Sequence, residues 1–520
     1  MAREPSSLGF KSLDFCSVSN NFNLLTVMSR SLRLSVILLF TAGVYGTSDT
    51  CCDRLTNALS GDKVFKPSNT NYAVENQKYW SSTAILSPAC VFVPESSADV
   101  STAIKLFTKH NCQFAVRGGG HTTNPGWAGT NSGILVSLSK LTTVQVSQDT
   151  QSVVVGAGNR WGDVYAQTGK HNVTVAGGRI SQVGVSGFLL GGGLSFLMHK
   201  EGFAANNVLS YEVVLANGKV TTVTAKSNSD LFKALKGGTG NFGIVTSFTL
   251  QTFPVNNIYA GYLYYTPDQY DNLFPLMEAY ARQGPESDPK THMISVFLCN
   301  PSQNLDMATF YTAYSEPVTS PPAAIKSFFE LPTTQNTVQV KTVKQATDEL
   351  EVGFDDGLRY NMQDYSIRAD AGLFKQIFDI WHSTTVGLNG TIPGWNSGII
   401  YQPISNSMIR ASAQKGGNVL GLEPSEDPLM VVSYQFTWER PEDDERVYAA
   451  INQLVTRSTE TAKSQNRLER YMYLNYAGSE QKVIESYGPA QVDYLRKVRA
   501  KYDPDRVFEK LSRGGFKIPA

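Results

Sequence analysis

What this 520-residue chain has little of narrows its functions first. Lys plus Arg and Asp plus Glu are equal at 45 each. With no surplus positive charge and no basic run, nothing in the chain draws nucleic acid or an anionic membrane. Only six histidines and six cysteines occur, with no Cys-x-x-Cys and no closely spaced His pair, so a zinc or copper site of ordinary spacing is not expected. The N-terminal apolar stretch Leu34–Gly46 has 13 residues, too few to span a bilayer. Gly-Lys-Ser/Thr is missing, which removes a Walker loop. The expected partner is a small molecule.

What is present is glycine in clusters. Phe114-Ala-Val-Arg-Gly-Gly-Gly-His-Thr122 ends an apolar run in one cation, three glycines and a histidine. Glycines let successive N–H groups converge on an anion, so Arg117, Gly118, Gly119 and Gly120 read as a pyrophosphate cradle with His121 and Thr122 beside the ligand. Two further clusters, Gly177–Gly193 and Leu235–Val245, adjoin strand-like runs. Three such loops point to one extended ligand approached by backbone from several sides. Val153-Val-Val-Gly-Ala-Gly-Asn-Arg-Trp161 opens like a dinucleotide fingerprint, but Trp161 takes the third glycine's place. Ala176 stands where a ribose-binding acid belongs.

At 520 residues the chain exceeds one compact core, so two domains are expected. Short β-rich runs alternate with helices such as Ala98–His110 from about 85 to 255, with an Asn217-Gly hairpin between Tyr211–Leu215 and Lys219–Val223. From about 257 to 465, aromatic strands at Tyr259–Tyr265, Ile294–Cys299, Gly398–Pro403 and Met430–Trp438 predict an antiparallel sheet with helices on one face. In Val431–Glu439, Val432, Tyr434, Phe436 and Trp438 share one face. Ser433, Gln435, Thr437 and Glu439 share the other, which either lines a cavity or meets solvent. The fold class is α+β.

Arg30 and Arg33 before Leu34–Gly46 read as a secretion signal starting at Met28, with residues 1–27 an extension. Export makes sequons of Asn172-Val-Thr and Asn389-Gly-Thr. It also leaves Cys51, Cys52, Cys90, Cys112 and Cys299, an odd number.

Together the three clusters resemble the FAD-linked oxidoreductases related to berberine bridge enzyme, within the wider vanillyl-alcohol-oxidase-type superfamily. Further matches run in that family's order: Tyr79-Trp-Ser, Gly156-Ala-Gly-x-x-Trp161, Asn207-Val, Asp230-Leu-Phe, Asn241-Phe-Gly-Ile-Val-Thr246, Tyr473-x-Asn-Tyr476 and Lys501-Tyr-Asp-Pro-Asp505. The resemblance implies a PCMH-type flavin unit of two small sheets over 48–256, a substrate domain over 257–465 and a segment over 466–520 that returns to the flavin unit. It implies FAD bonded through its 8α-methyl to His121. The second tether of many relatives is a cysteine, and Ala205 occupies that place, so one bond is expected. The resemblance implies backbone contacts from Gly184, Ser186 and Gly187, and ribose- or adenine-side contacts from Asn207 and Ile244. A disulfide from Cys51 or Cys52 to Cys112 is implied as well, with Cys90 the rival partner.

Where several relatives have a glutamate base, this chain has Gln402, a neutral amide that can position but not accept a proton. Tyr473 becomes the expected base and Tyr476 the second. His110, His171, His199, His292 and His382 lack motif context and read as structural or exposed. The expected protein is a secreted monomer oxidising a metabolite or alcohol and passing electrons to dioxygen. A carbohydrate oxidase or a dehydrogenase is the enzymatic alternative, and an inactive flavin- or sugar-binding protein the other.

Overall fold

Three sheets organise the computed structural model, which describes residues 48–520 apart from 354, 355 and 389. The leader over 1–47 and the Asn389 sequon lie outside the described residues. The first sheet runs Val64–Phe65, Cys90–Phe92, Ile134–Ser137, Phe114–Arg117 in spatial order, its last three strands parallel. Helix Ser97–His110 makes the crossover between two of them and buries Val100, Ile104 and Phe107. Ser96 caps its N-terminus through the Asp99 N–H, and Asn111 ends it in the left-handed region.

The second sheet is antiparallel, in the order Val144–Val146, Ser152–Gly156, Ile244–Phe253, Val208–Val214, Val220–Thr224, with Thr174–Val175 also paired to Ile244–Phe253. Its last two strands are the hairpin predicted at Asn217-Gly, where Gly218 takes φ +77°.

The third sheet holds nine antiparallel strands. Asn257–Tyr265, Leu305–Tyr314, Thr291–Asn300, Asn396–Ile404, Leu429–Trp438 and Arg359–Arg368 lie side by side in that order. Helices Tyr270–Ser287, Ala371–Gly387 and Asp444–Ser464 cover one face and bury Phe274, Ile377 and Ile451 against Phe297, Tyr401 and Tyr434. The expected apolar face of the central strand, Val432, Tyr434, Phe436 and Trp438, meets these helices. Its opposite face, with Gln435 and Thr437, lines a cavity. The question left open by the alternation is answered by the other two sheets, whose loops occupy the space where solvent would be.

Cys112 and Cys90 are both used: Cys51 bonds Cys112 and Cys52 bonds Cys90, while Cys299 is buried and free. No helix among the described residues is long and apolar enough to cross a membrane.

Candidate active site

The glycine loops meet at a cavity of about 620 Å³ between the small sheets and the uncovered face of the large one. Gly118, Gly119, Gly120, His121 and Thr122 line it from the end of strand Phe114–Arg117, with Gly184, Ser186 and Gly187 opposite. The reason for glycine here is loop against loop. A Cβ on Gly119 would lie 2.4 Å from the Gly184 Cα, and one on Gly118 would lie 2.1 Å from Ser186 Oγ. Gly187, in contrast, has nothing within 4 Å of its Cβ position and opens on the cavity. Ile244, heading its long strand, also lines it.

His121 stacks on Trp80 with ring centres 4.2 Å apart, and Trp80 stacks in turn on Tyr360 at 4.0 Å. Burial, aided by Arg160, pulls the imidazole pKa down to about 3. The ring is therefore neutral, and its buried Nε2 has no hydrogen-bond partner among the described residues. A neutral, orphaned imidazole nitrogen facing a glycine-lined cavity fits a flavin.

Two expected contacts need correction. Arg117 is 1% exposed and turned away from the cavity, donating to Ser137 Oγ at 2.8 Å, pairing with Glu75 at 3.5 Å and covering the Tyr79 ring. It braces the strand beneath the glycine run and does not meet the cavity. Asn207 is likewise occupied: its Nδ2 donates to the carbonyls of Glu201 and Phe203, and its Oδ1 accepts from Lys415 Nζ at 2.6 Å. The cations that do line the cavity are Arg179 and Lys517. Burial lowers the Lys517 pKa to about 8. Neither was singled out from sequence, although Gly514-Gly-Phe-Lys517 offered a further glycine pair as a signal.

The segment around Tyr473–Ala477 is tied to both glycine-bearing loops. Asn124 Nδ2 donates to the Ala477 carbonyl, and Asn475 Nδ2 to the Phe188 carbonyl. Tyr473 is 1% exposed. Its Oη accepts from the Leu194 N–H at 3.1 Å and Asn475 Nδ2 at 3.0 Å. Burial pushes its pKa well above the usual phenol range, so the group expected to be the base is held as a neutral phenol. Tyr476 differs: its Oη accepts from Arg179 Nη2 at 2.8 Å and from Gln402 Nε2 at 3.1 Å. Gln402 is 2% exposed, and its Oε1 has no partner among the described residues. The rings of the two tyrosines meet edge to face at 4.8 Å.

The wall supplied by the large sheet is divided. Tyr262, Ile294, Val296, Leu298 and Tyr311 make an apolar half. Asn396, Gln402, Gln435 and Thr437 make a polar half, and no Asp or Glu among the described residues lines the cavity.

The family described as FAD binding domain matches residues 88–224. The FAD-dependent monooxygenase drtC of Aspergillus calidoustus is 32% identical over 474 residues, covering 90% of each chain. This chain belongs to the FAD-linked oxidoreductases related to berberine bridge enzyme. The FAD-dependent monooxygenase sdcF of Emericella nidulans is 34% identical over 91% of this chain and 98% of its own. Among solved structures, 6-hydroxy-D-nicotine oxidase from Arthrobacter nicotinovorans superposes with a TM-score of 0.75 at 20% identity, covering 88% of this chain and 97% of that one. Xylooligosaccharide oxidase from Myceliophthora thermophila gives 0.74 at 20% identity, covering 91% and 100%. These likenesses give the fold of the berberine-bridge-like chain, an α+β PCMH-type arrangement, and the relatives make it an FAD-dependent oxidoreductase.

Proposed function

We propose that the chain is a secreted, monomeric oxidase that removes a hydride from an uncharged, largely apolar hydroxylated metabolite and returns the electrons to dioxygen. FAD is held through one covalent bond to His121. Residues 48–256 would hold the cofactor, 257–465 the substrate, and 466–520 would carry the base back to their junction. The balance is one alcohol and one dioxygen giving one carbonyl compound and one hydrogen peroxide. When bound, the flavin accepts the hydride and passes two electrons to oxygen. His121 supports the single tether because a neutral imidazole nitrogen is free to bond carbon, and buried Ala205 offers no second nucleophile.

The observation that carries the chemistry is Tyr476. A guanidinium at 2.8 Å and an amide N–H at 3.1 Å both donate to its oxygen, the first a charge-assisted hydrogen bond, so this phenol oxygen is held in place where it lines the cavity. We assign the proton acceptor to Tyr476, ahead of Tyr473, whose hydroxyl is buried between two neutral donors. Tyr473 instead keeps its proton and can donate to the substrate. Gln402 positions: its Nε2 holds Tyr476 and its Oε1 accepts from a substrate hydroxyl. With no Asp or Glu among the described residues lining the site and Arg179 present, a cationic amine is disfavoured, and the apolar half suits an aromatic ring better than a polyol.

The test is Tyr476→Phe. General-base catalysis contributes about 10²–10⁴-fold, so anaerobic flavin reduction by an aromatic alcohol should slow by that order with the bound flavin spectrum unchanged. Reduction at the unaltered rate refutes the assignment. The printed names of the curated relatives favour a second reading, in which one oxygen atom enters the product. Labelled dioxygen separates the two, since the oxidase leaves all label in peroxide and none in the organic product.

A further inference from the structure

We propose that His292 is a positioning residue that fixes the Arg179 guanidinium against Tyr476, with the His199 imidazole behind it. This rests on the assignment of Tyr476 as proton acceptor. His292 is fully buried on strand Thr291–Asn300, and its Nε2 lies 3.1 Å from Arg179 Nη1. A guanidinium only donates, so Nε2 must carry the lone pair and the ring proton sits on Nδ1. The tautomer is set by its partner.

Phe196 meets the ring edge to face at 5.6 Å, and Ala313 of strand Leu305–Tyr314 pairs directly with His292. The guanidinium thus meets two acceptors, the His292 imidazole and the Tyr476 oxygen. No Asp or Glu among the described residues forms an ion pair with Arg179. A carboxylate would cancel much of the positive charge that Tyr476 senses. An imidazole orients the same guanidinium and leaves that charge whole, provided the ring stays neutral.

The surroundings keep it neutral. Burial, then Arg179 and His199, drive the His292 pKa well below the ordinary value, and burial with Arg179 brings His199 down to about 3. The two rings are 6.1 Å apart, and His199 Nδ1 is anchored 2.8 Å from Ser405 Oγ. The other titratable groups facing this cluster are Tyr165 from helix Trp161–Thr168, Tyr280 from helix Tyr270–Ser287, 6.5 Å from His199, and Tyr473. Burial pushes all three phenols up, so none contributes an opposing charge. Arg179 is thus the one cation in a cluster of neutral rings.

The experiment places 3-fluorotyrosine at position 476 of the flavin-loaded full chain and reads its fluorine resonance at one fixed pH, beside anaerobic flavin reduction of the same variants carrying tyrosine. Three proteins are compared: unaltered, His292→Leu and His292→Gln. Leucine removes the acceptor, whereas glutamine puts a carbonyl oxygen near the place of Nε2. In His292→Leu the resonance should move and broaden as the guanidinium leaves its fixed place against the phenol oxygen, and reduction should slow by about 10²-fold, the cost of a misplaced positioning group. In His292→Gln both should stay close to the unaltered values. An unchanged resonance in His292→Leu, or a change in His292→Gln equal to that in His292→Leu, overturns the proposal. Should His292→Leu not fold, His292→Phe also lacks the acceptor and is read the same way. The base assignment fails separately, by Tyr476→Phe reducing flavin at the unaltered rate while the fluorine resonance still responds to His292→Leu.

Discussion

Two glycines only a loop apart should answer oppositely to the same added methyl group. At Gly119 a Cβ falls 2.4 Å from the Gly184 Cα and 2.8 Å from the Gly184 nitrogen. Ordinary carbon contacts begin near 3.4 Å, so one loop must retreat by about 1 Å, and both partners are backbone. Forcing a methyl group into such a contact costs about 1–3 kcal/mol, and the displaced atoms are those that line the cavity. Gly119→Ala should therefore lower the unfolding temperature and reduce flavin content together. Gly187 sits inside helix Val185–Leu190 with nothing within 4 Å of its Cβ position. There alanine gains about 0.8–1 kcal/mol of helix propensity while taking up cavity space. Gly187→Ala should be as stable as the unaltered protein, or more so, yet load flavin poorly. Thermal unfolding with and without added FAD, read beside visible absorbance, checks both. A stable, fully loaded Gly119→Ala would refute the close-packing argument, and an unstable Gly187→Ala would mean that its open side is not open.

Two more outcomes follow from the same geometry. Acid precipitation of the unaltered protein should carry the flavin with the polypeptide, whereas His121→Ala should release it into the supernatant; release from both would refute the covalent bond. Asp364 is fully buried, accepts the Tyr473 N–H at 2.7 Å, and has its pKa raised well above the carboxylate range by burial. Its folded form keeps a proton that the unfolded chain gives up near pH 4, so this contribution to stability is present below that pH and lost as pH rises. Asp364→Asn should match the unaltered protein near pH 4 and exceed it at pH 8 in denaturant unfolding; equal stability at both would show that Asp364 is already ionised in the fold.

The legible parts of the chain were those whose signal is local. Ile244–Phe253 and the Asn217-Gly hairpin follow from β-branched runs and one turn dipeptide, and the alternation in Val431–Glu439 separated the core residues Val432, Tyr434, Phe436 and Trp438 from Gln435 and Thr437, leaving to the structure whether that second face met a cavity or solvent. The glycine runs found the cavity. Arg359–Arg368 escaped notice because Asn361, Gln363 and Asp364 dilute its pattern, and its pairing with Leu429–Trp438 and Leu468–Glu469 is a long-range matter. Side-chain direction was the other blind spot. Arg117 and Arg179 both border glycine pairs, yet only the packing of Glu75 under one and His292 beside the other decides which faces the ligand. His199 and His292 carried no motif because their neighbours come from distant strands.

Residues 508–517 wall one side of the cavity. Phe508, Ser512, Gly514, Phe516 and Lys517 line it, the Leu511 carbonyl accepts from the Phe114 N–H at the foot of the glycine strand, and Asn241 Nδ2 donates to the Phe516 carbonyl. The same stretch therefore does two jobs at once: it closes one wall of the cavity with its side chains and clamps the glycine strand with its backbone, so a substitution at Phe516 or Leu511 reaches the glycine run without touching it.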